Sequence, residues 1–310
     1  MKLARWGEGS GIGSLAAEVD GCWYDLLAVL RNTRGFVTRY GEYEESVQAL
    51  KLTSRPMIEA IPWLCSRPVG EDSMPPPLDT QRVLASLRAP LWGDGLIYCA
   101  AVNYHSHALE SGALIQSTPL FFIKPFRCII GPGANVELPV SSRQPDYEAE
   151  LAVVIGKRGK AIPREAALDH VAGYTILNDI SFRDLQSRNI PGRSPTTDWV
   201  RGKALDTAAP VGPWIVTTDE VADPQQLGLR LWVDGELRQD GNTSDMVFPI
   251  ADLIASLSQD ITLEPGDVIA TGTCSGVGKY RGQFLAAGCR IEIAIEDVGM
   301  LSHGVVAQRA

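Results

Sequence analysis

Glu148 and Glu150 stand two residues apart at the head of an apolar run, Tyr147-Glu148-Ala149-Glu150-Leu151-Ala152-Val153-Val154-Ile155. That run has the length and apolar content of a strand. The two carboxylates would then share one face, about 6.6 Å apart along the chain. Held together among buried strands they repel, so either one takes up a proton or a cation sits between them. Asp179 closes a second apolar run, residues 173–178, and can supply a third oxygen. Three hard oxygen ligands suit Mg²⁺, Mn²⁺ or Ca²⁺ rather than zinc, which prefers nitrogen and sulfur. Spacing alone leaves a second reading open, with Glu148 and Glu150 on the solvent face of an edge strand, where alternating polar residues are common.

The elements that must position these side chains follow from hydrophobic pattern and turn chemistry. Residues 96–102, 120–124, 148–155 and 171–177 are apolar runs of strand length, and 268–271 is another, after the turn Glu264-Pro265-Gly266-Asp267. Ile291, Ile293 and Ile295 alternate with Glu292, Ala294 and Glu296, which predicts a half-buried strand. Pro163 suits the first turn of a helix through Asp169. Pro249 opens a second helix, with Ile250, Leu253, Ile254 and Leu257 on one face. With only a few short helices, the fold class is mixed α/β with β dominant.

The consecutive prolines of Ser73-Met74-Pro75-Pro76-Pro77 break helix and sheet alike. They divide the chain into a small N-terminal domain (residues 1–72), a linker (73–94) and a large domain (95–310). The first part should hold short strands, with turns at residues 7–13 and at Asp20-Gly21, and a short helix near 42–50.

The 310 residues are 45% hydrophobic and 21% charged, with a formal net charge of −9. No basic stripe runs through the sequence, which argues against a nucleic-acid partner. No run reaches the roughly 18 apolar residues of a membrane span, so no membrane partner is expected. The six cysteines form no Cys-x-x-Cys pair. Reduced thiols and a cytoplasmic location are the expectation.

Further motifs surround the carboxylates. They are Asn103-Tyr104-His105-Ser106-His107-Ala108-Leu109-Glu110, Asn178-Asp179-Ile180-Ser181-Phe182-Arg183-Asp184-Leu185-Gln186, Arg201-Gly202-Lys203 with Asp206, Asp234-Gly235-Glu236, and Gly266-Asp267-Val268-Ile269-Ala270-Thr271-Gly272-Thr273. In this order, over roughly residues 95–305, they resemble the fumarylacetoacetate hydrolase family, in its bacterial acylpyruvase-like or 2-oxo-diacid-hydrolase-like branch. The resemblance implies a β-sandwich roll as the catalytic domain, with a small N-terminal domain of the kind bacterial members carry.

It also implies roles. Glu148, Glu150 and Asp179 match the family's Mg²⁺ or Mn²⁺ ligands. The upstream stretch Ala100-Ala101-Val102-Asn103 has no fourth acid, so three protein ligands are expected. His107 and Glu110 match a dyad that activates water. Their spacing of three puts both on one helix face, and a carboxylate would orient the imidazole and raise its basicity. From the residues alone, a surface histidine fits as well. Lys203 matches a lysine near the reacting carbonyl, where a cation stabilises developing negative charge. Arg183, Gln186 and Thr273 match substrate contacts, and Lys124 a supporting position. His105 should face elsewhere, and His170 and His303 should be structural. Cys274 stands where proline is common, and residues 188–198 suit a loop over the site.

The reaction so implied is hydrolysis of a carbon–carbon bond in an acylpyruvate-like β-diketo acid of the fumarylpyruvate, fumarylacetoacetate or diketo-deoxy-sugar-acid type. A homodimer with a small-molecule 2-oxo acid as substrate is the expected assembly. The competing chemistry at the same site is decarboxylation of oxaloacetate, or isomerisation, decarboxylation or hydration of an unsaturated 2-oxo diacid. The competing class is a non-catalytic, metal-stabilised binding protein.

Overall fold

The computed structural model describes residues 1–7, 13–19, 21–26, 76–93, 95–188 and 196–308. The helix expected near 42–50 lies outside them, as do the tip of the 188–198 loop (189–195) and the 72/73 boundary.

The longer strands are β1 (Lys2–Trp6), β2 (Ser14–Val19), β3 (Cys22–Asp25), β4 (Leu96–Ala101), β5 (Leu120–Pro125), β6 (Asn135–Leu138), β7 (Ala149–Ile155), β8 (Val171–Asn178), β9 (Ala209–Thr217), β10 (Gly228–Val233), β11 (Glu236–Asn242), β12 (Val268–Thr273), β13 (Arg290–Ile295) and β14 (Gly299–Ala307). The helices are α1 (Thr80–Ala85), α2 (His105–Ser111), α3 (Arg183–Gln186), α4 (Trp199–Lys203), α5 (Ile250–Ser258) and α6 (Gly278–Arg281). Among the described residues the strands form one large mixed sheet, ordered β3-β2-β1-β9-β8-β7-β12-β4-β5, and a five-stranded sheet, ordered β11-β10-β13-β14-β6. The β-dominated mixed class expected from pattern is the class observed.

One apolar layer lies between the two sheets. Leu151, Val153 and Ile155 of β7 meet Leu229 and Leu231 of β10 and Ile291 and Ile293 of β13 there, with the apolar face of α5. The opposite face of the large sheet carries a second core, which takes Ala152 and Val154 of β7 with Ile97, Cys99, Val268 and Ala270. β7 is therefore buried on both faces, which explains its near-continuous apolar sequence. Its even-numbered residues face the second core, and Glu148 and Glu150 lie on that same side of the chain.

Pattern and structure agree for α5, whose buried residues include Ile250, Leu253, Ile254 and Leu257. After Pro163 the chain forms a 3₁₀ helix, Arg164–His170, rather than an α-helix. Only Ala167 is buried in it, too little one-sided packing to favour an α-helical face. β1 pairs with β9 (Leu3↔Ile215), so the N-terminal strands extend the large sheet. Leu3, Leu15 and Leu26 lie in its second core. From residue 76 the stretch expected as a linker carries α1, whose Val83 packs on Ala4, Ala16 and Trp23.

Candidate metal centre and active site

Glu148 precedes β7 and is fixed from both sides. Its N–H donates to Asn178 Oδ1 (3.0 Å), and its carbonyl accepts from Asp179 N–H (2.8 Å). The register Ala149↔Asn178 and Glu150↔Leu177 thus brings the ends of β7 and β8 together, and with them three carboxylates far apart in sequence. One oxygen from each of Glu148, Glu150 and Asp179 lies within 4.8 Å of the others. They are 6%, 2% and 1% exposed, which removes the solvent-face reading: β7 is central, not an edge.

Glu150 faces a break in the β12 ladder. Its partner is Thr273, whereas Ala152 pairs with Ala270, so β12 carries an extra residue here. Gly272 takes it up at φ +90° and donates its N–H to Glu150 Oε2 (2.9 Å). A Cβ at Gly272 would stand 3.0 Å from Asn103 Cβ and 3.1 Å from Ala100 O. The Thr-Gly-Thr segment therefore shapes the backbone around the second ligand. Thr273 borders the cavity, but its hydroxyl is engaged, donating to Ala149 O (2.9 Å) and accepting from Gln239 Nε2 (2.8 Å).

Three cations brace the cluster. Lys203 Nζ donates to Glu148 Oε2 (2.5 Å) and Asp179 Oδ2 (2.7 Å), bridging two of the carboxylates. Gly202 allows this, because a Cβ there would strike Gln186 Cβ at 2.5 Å and push α4 off α3. Phe122 stacks on Trp199 (4.4 Å) and lies 5.3 Å from Lys203 Nζ, which sets the lysine's path. Lys124 is fully buried and spends its three N–H groups on Asp179 Oδ1 (2.6 Å), Ile180 O (3.2 Å) and Ala208 O (2.7 Å). Arg183 spans Asp146 Oδ2 (2.8 Å, through Nε) and Glu148 Oε1 (2.5 Å, through Nη2). Arg183 was expected at the substrate, and it borders the cavity, but those donors are committed to carboxylates. Gln186 borders the cavity as well.

The electrostatics show where a cation is wanted. Burial disfavours the Glu148 carboxylate, yet Lys203 and Arg183 outweigh it and hold the carboxyl well below the usual range. Burial lowers Lys203, but Asp179 and Glu148 reverse that and keep it above its ordinary value. For Glu150 burial, Asp179 and Glu148 all push the carboxyl well above the usual range. No ion pair reaches Glu150 among the described residues. Four carboxylates (Asp146, Glu148, Glu150, Asp179) thus meet three cations (Lys124, Arg183, Lys203), and Glu150 is left over. Its charged form needs another positive charge beside it. A hard divalent cation held by Glu148, Glu150 and Asp179 fits that deficit and the all-oxygen donor set.

A cavity of about 330 Å³ opens on the cluster. His107 lies on its wall with Glu148, Glu150, Asp179 and Lys203. α2 turns His107 and Ala108 inward and leaves His105 exposed, as the helical spacing predicts. Asn103 ties the start of this segment to β12, donating to Thr271 O (2.8 Å) and Phe248 O (3.1 Å). Asp245 Oδ2 accepts from Ser106 N–H in the first turn (3.0 Å). His107 Nδ1 and Glu110 Oε2 are 3.4 Å apart, and Glu110 Oε1 accepts from Gly276 N–H (2.8 Å). The carboxylate is anchored and fixes the side of the ring it faces, so Nε2 is the nitrogen left for a proton from the cavity.

Several contributors escaped the sequence reading. Asp146 holds Arg183 and accepts from the N–H groups of Tyr147 (2.8 Å), Gly278 (2.7 Å) and Lys279 (3.0 Å). A signal existed, since Asp146, Glu148 and Glu150 continue one period-two row of acids. Asn178 stood at the head of a quoted motif without a role, and the partners of Asn178 and Gln239 lie far off in sequence. Cys274 is buried, with its thiol pushed up to about 12 mainly by burial, which suits no nucleophile. The five described cysteines are free. No helix among the described residues is long and apolar enough to cross a membrane.

Residues 96–306 match the family model described as fumarylacetoacetate (FAA) hydrolase C-terminal. The mitochondrial oxaloacetate tautomerase fahd2 of Xenopus laevis is 44% identical over 223 residues, 71% of this chain and 68% of that protein. A maleylpyruvate hydrolase from Sphingobium sp. SYK-6, solved in complex with manganese(II) and pyruvate, superposes with a TM-score of 0.71 at 33% identity, covering 100% of both chains. A 2-hydroxyhepta-2,4-diene-1,7-dioate isomerase from Mycobacterium marinum gives 0.62 at 36% identity, covering 76% of this chain and 84% of that one.

Proposed function

Because the chain belongs to the fumarylacetoacetate hydrolase family, we propose that it is a divalent-metal-dependent hydrolase that cleaves a carbon–carbon bond in an acylpyruvate-like β-diketo acid. The observation that carries this reading is His107, backed by an anchored Glu110, on the same cavity wall as the carboxylate cluster. A divalent ion at Glu148, Glu150 and Asp179, Mg²⁺ or Mn²⁺ by donor type, supplies Lewis acidity toward the oxygens of the 2-oxo acid. His107 Nε2 takes a proton from water, and the oxygen of that water adds to the distal ketone. Collapse breaks the bond to the central carbon, releasing a carboxylic acid and the enolate of pyruvate. The Lys203 ammonium stabilises the negative charge that develops. A proton delivered to the enolate carbon, from His107 by the shortest route, completes pyruvate.

A second reading is favoured by a specific observation, the 44% identity to an oxaloacetate tautomerase. There a divalent ion held by the same cluster would take the keto-acid end of oxaloacetate or of an unsaturated 2-oxo diacid, and His107 moves a proton between carbon and oxygen; loss of CO2 to the enolate, or isomerisation, are the variants. The homodimer is carried forward with the proposal, and light scattering in solution tests it.

The deciding experiment incubates the protein with Mn²⁺ and a panel of acylpyruvates and oxaloacetate, following enol absorbance and identifying products. Equimolar pyruvate and carboxylic acid support hydrolysis. Tautomer exchange with no new acid supports the second reading. His107→Ala should lower hydrolysis about 10²- to 10⁴-fold. Glu148→Ala should abolish it, and full activity in that variant would refute the metal reading.

A further inference from the structure

His107 stands on a helix that lacks a cap of its own. α2 is seven residues long, well under the roughly 12–15 at which a helix holds alone in water, so its docking decides its geometry. The residue before it, Tyr104, is extended and makes no side-chain hydrogen bond to the first turn. First-turn N–H groups have no partner within a helix and take acceptors from elsewhere. Asp245 supplies one. Its Oδ2 accepts from the N–H of Ser106 (3.0 Å), 139 positions away in sequence and next to His107.

Asp245 is itself well fixed. It ends a 3₁₀ turn, Thr243–Asp245, that follows β11. Thr243 is tied twice to Leu227, which leads into β10: its N–H donates to Leu227 O (3.0 Å), and its hydroxyl accepts from Leu227 N–H (2.9 Å). Asn242 Oδ1 accepts from Ser244 N–H within the turn (2.9 Å). Just after Asp245, Val247 N–H donates to Asn103 O (2.8 Å) and Phe248 N–H to Asn103 Oδ1 (2.9 Å). The turn thus joins the smaller sheet to the start of the His107 segment. The far end of α2 is held separately, by Gly276 N–H on Glu110 Oε1 (2.8 Å). His107 lies between these two anchors. The metal ligands are held by other groups, namely Lys124, Arg183, Lys203 and the Gly272 N–H.

We propose that Asp245 is a positioning residue for His107: its carboxylate caps α2 from the smaller sheet and sets where the imidazole enters the cavity. The inference rests on the reading that His107 moves the proton, in hydrolysis or in tautomerisation. Without the cap the first turn frays and the ring shifts, while the carboxylate cluster stays as it is. A misplacement of about 1 Å can cost about a hundredfold in rate. With the Glu110 anchor still in place, about tenfold is expected.

The test uses the full chain loaded with Mn²⁺ and whichever acid of the acylpyruvate and oxaloacetate panel it turns over. Asp245→Ala should lower kcat about tenfold with KM and Mn²⁺ affinity unchanged. Hydrogen exchange across residues 105–111 should quicken about fivefold, the loss of one capping bond. Asp245→Asn keeps an acceptor and should return both readings to within about twofold of wild type. In a His107→Ala background Asp245→Ala should cost no further activity, because its effect runs through the ring; a merely structural role would lower both backgrounds alike. Wild-type kcat or unchanged exchange in Asp245→Ala, no rescue by Asp245→Asn, or an equal loss in the His107→Ala background overturns the proposal while leaving the role of His107 intact. Full activity of His107→Ala, or no turnover of any acid by the wild type, refutes the underlying reading and the proposal with it.

Discussion

His303 connects the smaller sheet to the metal centre, and acid should loosen it in a calculable way. The ring is 2% exposed. Asn178 Oδ1 accepts from the Glu148 N–H, so Asn178 Nδ2 is a donor, and it meets His303 Nε2 at 2.9 Å. Nε2 must therefore be unprotonated, and Nδ1–H donates to Gly304 O at 3.2 Å. Burial drives the ring's pKa from 6.5 down to about 4. Above pH 6.5 the folded and unfolded chains both hold it neutral and nothing is lost. Between 6.5 and 4 the unfolded chain binds a proton that the folded one refuses, so stability falls as pH falls. Below 4 the loss is complete, at about 3 kcal/mol. His303→Gln keeps an acceptor for Asn178 and removes the titration. With a chelator present throughout, the variant should be about 1 kcal/mol less stable at pH 7, from the lost bond to Gly304. Its urea midpoint should then fall less steeply than the wild type's from pH 6.5 to 4, by the equivalent of about 3 kcal/mol. With four histidines in the chain, NMR can follow each ring. Parallel midpoints for the two proteins across that range, or a ring that titrates near 6.5, would refute the reasoning.

Three further outcomes follow from the same geometry. Glu150→Gln removes the one carboxylate of the cluster without a cation, so the metal-free protein should melt no lower than wild type while Mn²⁺ affinity drops at least about a hundredfold. A lower melting point without metal would count against the charge argument. Lys203→Met leaves Glu148 and Asp179 facing each other without their shared ammonium. It should cost about 3–5 kcal/mol in urea denaturation of the metal-free protein, with added Mn²⁺ restoring part of the loss. Gly272→Ala forces a side chain into φ +90° and against Asn103, which should cost about 1–3 kcal/mol by thermal melting and weaken Mn²⁺ binding as the N–H leaves Glu150.

Much of the site was legible because local chemistry and local period carry it. Alternation put Glu148 and Glu150 on one side of a strand, and the i,i+3 spacing of His107 and Glu110 set them on one helix face. Turn and helix signals marked α5 and the loop before β12. The resemblance to a family supplied Lys203 as a partner. Several features were not legible. The continuous apolar run of β7 suits an interior strand, but the alternating Glu148 and Glu150 suit an edge, and which strands flank β7 decides between them. Arg183 reads as a polar helix residue until the Ser181↔Asp146 pairing brings Asp146 beside it. Lys124 carried only a supporting position from the resemblance, and its partners Asp179, Ile180 and Ala208, 55 to 84 residues away, come to its ammonium only in the fold.

The sequence by itself determined the chemistry on offer: hard oxygen donors, an imidazole with a carboxylate, a lysine, and the short strands that carry them. Side-chain type and spacing of a few residues are local properties, and the chain states them directly. Tertiary structure decided which of these groups meet. The register of β7 against β8 and β12 closed three carboxylates into one cluster and left Glu150 as its uncompensated charge. The docking of α2 set His107 on the wall of the cavity. Such contacts join residues from 20 to more than 100 positions apart, as in Asn178–His303 (|i−j| = 125), and only the folded sheet brings them together.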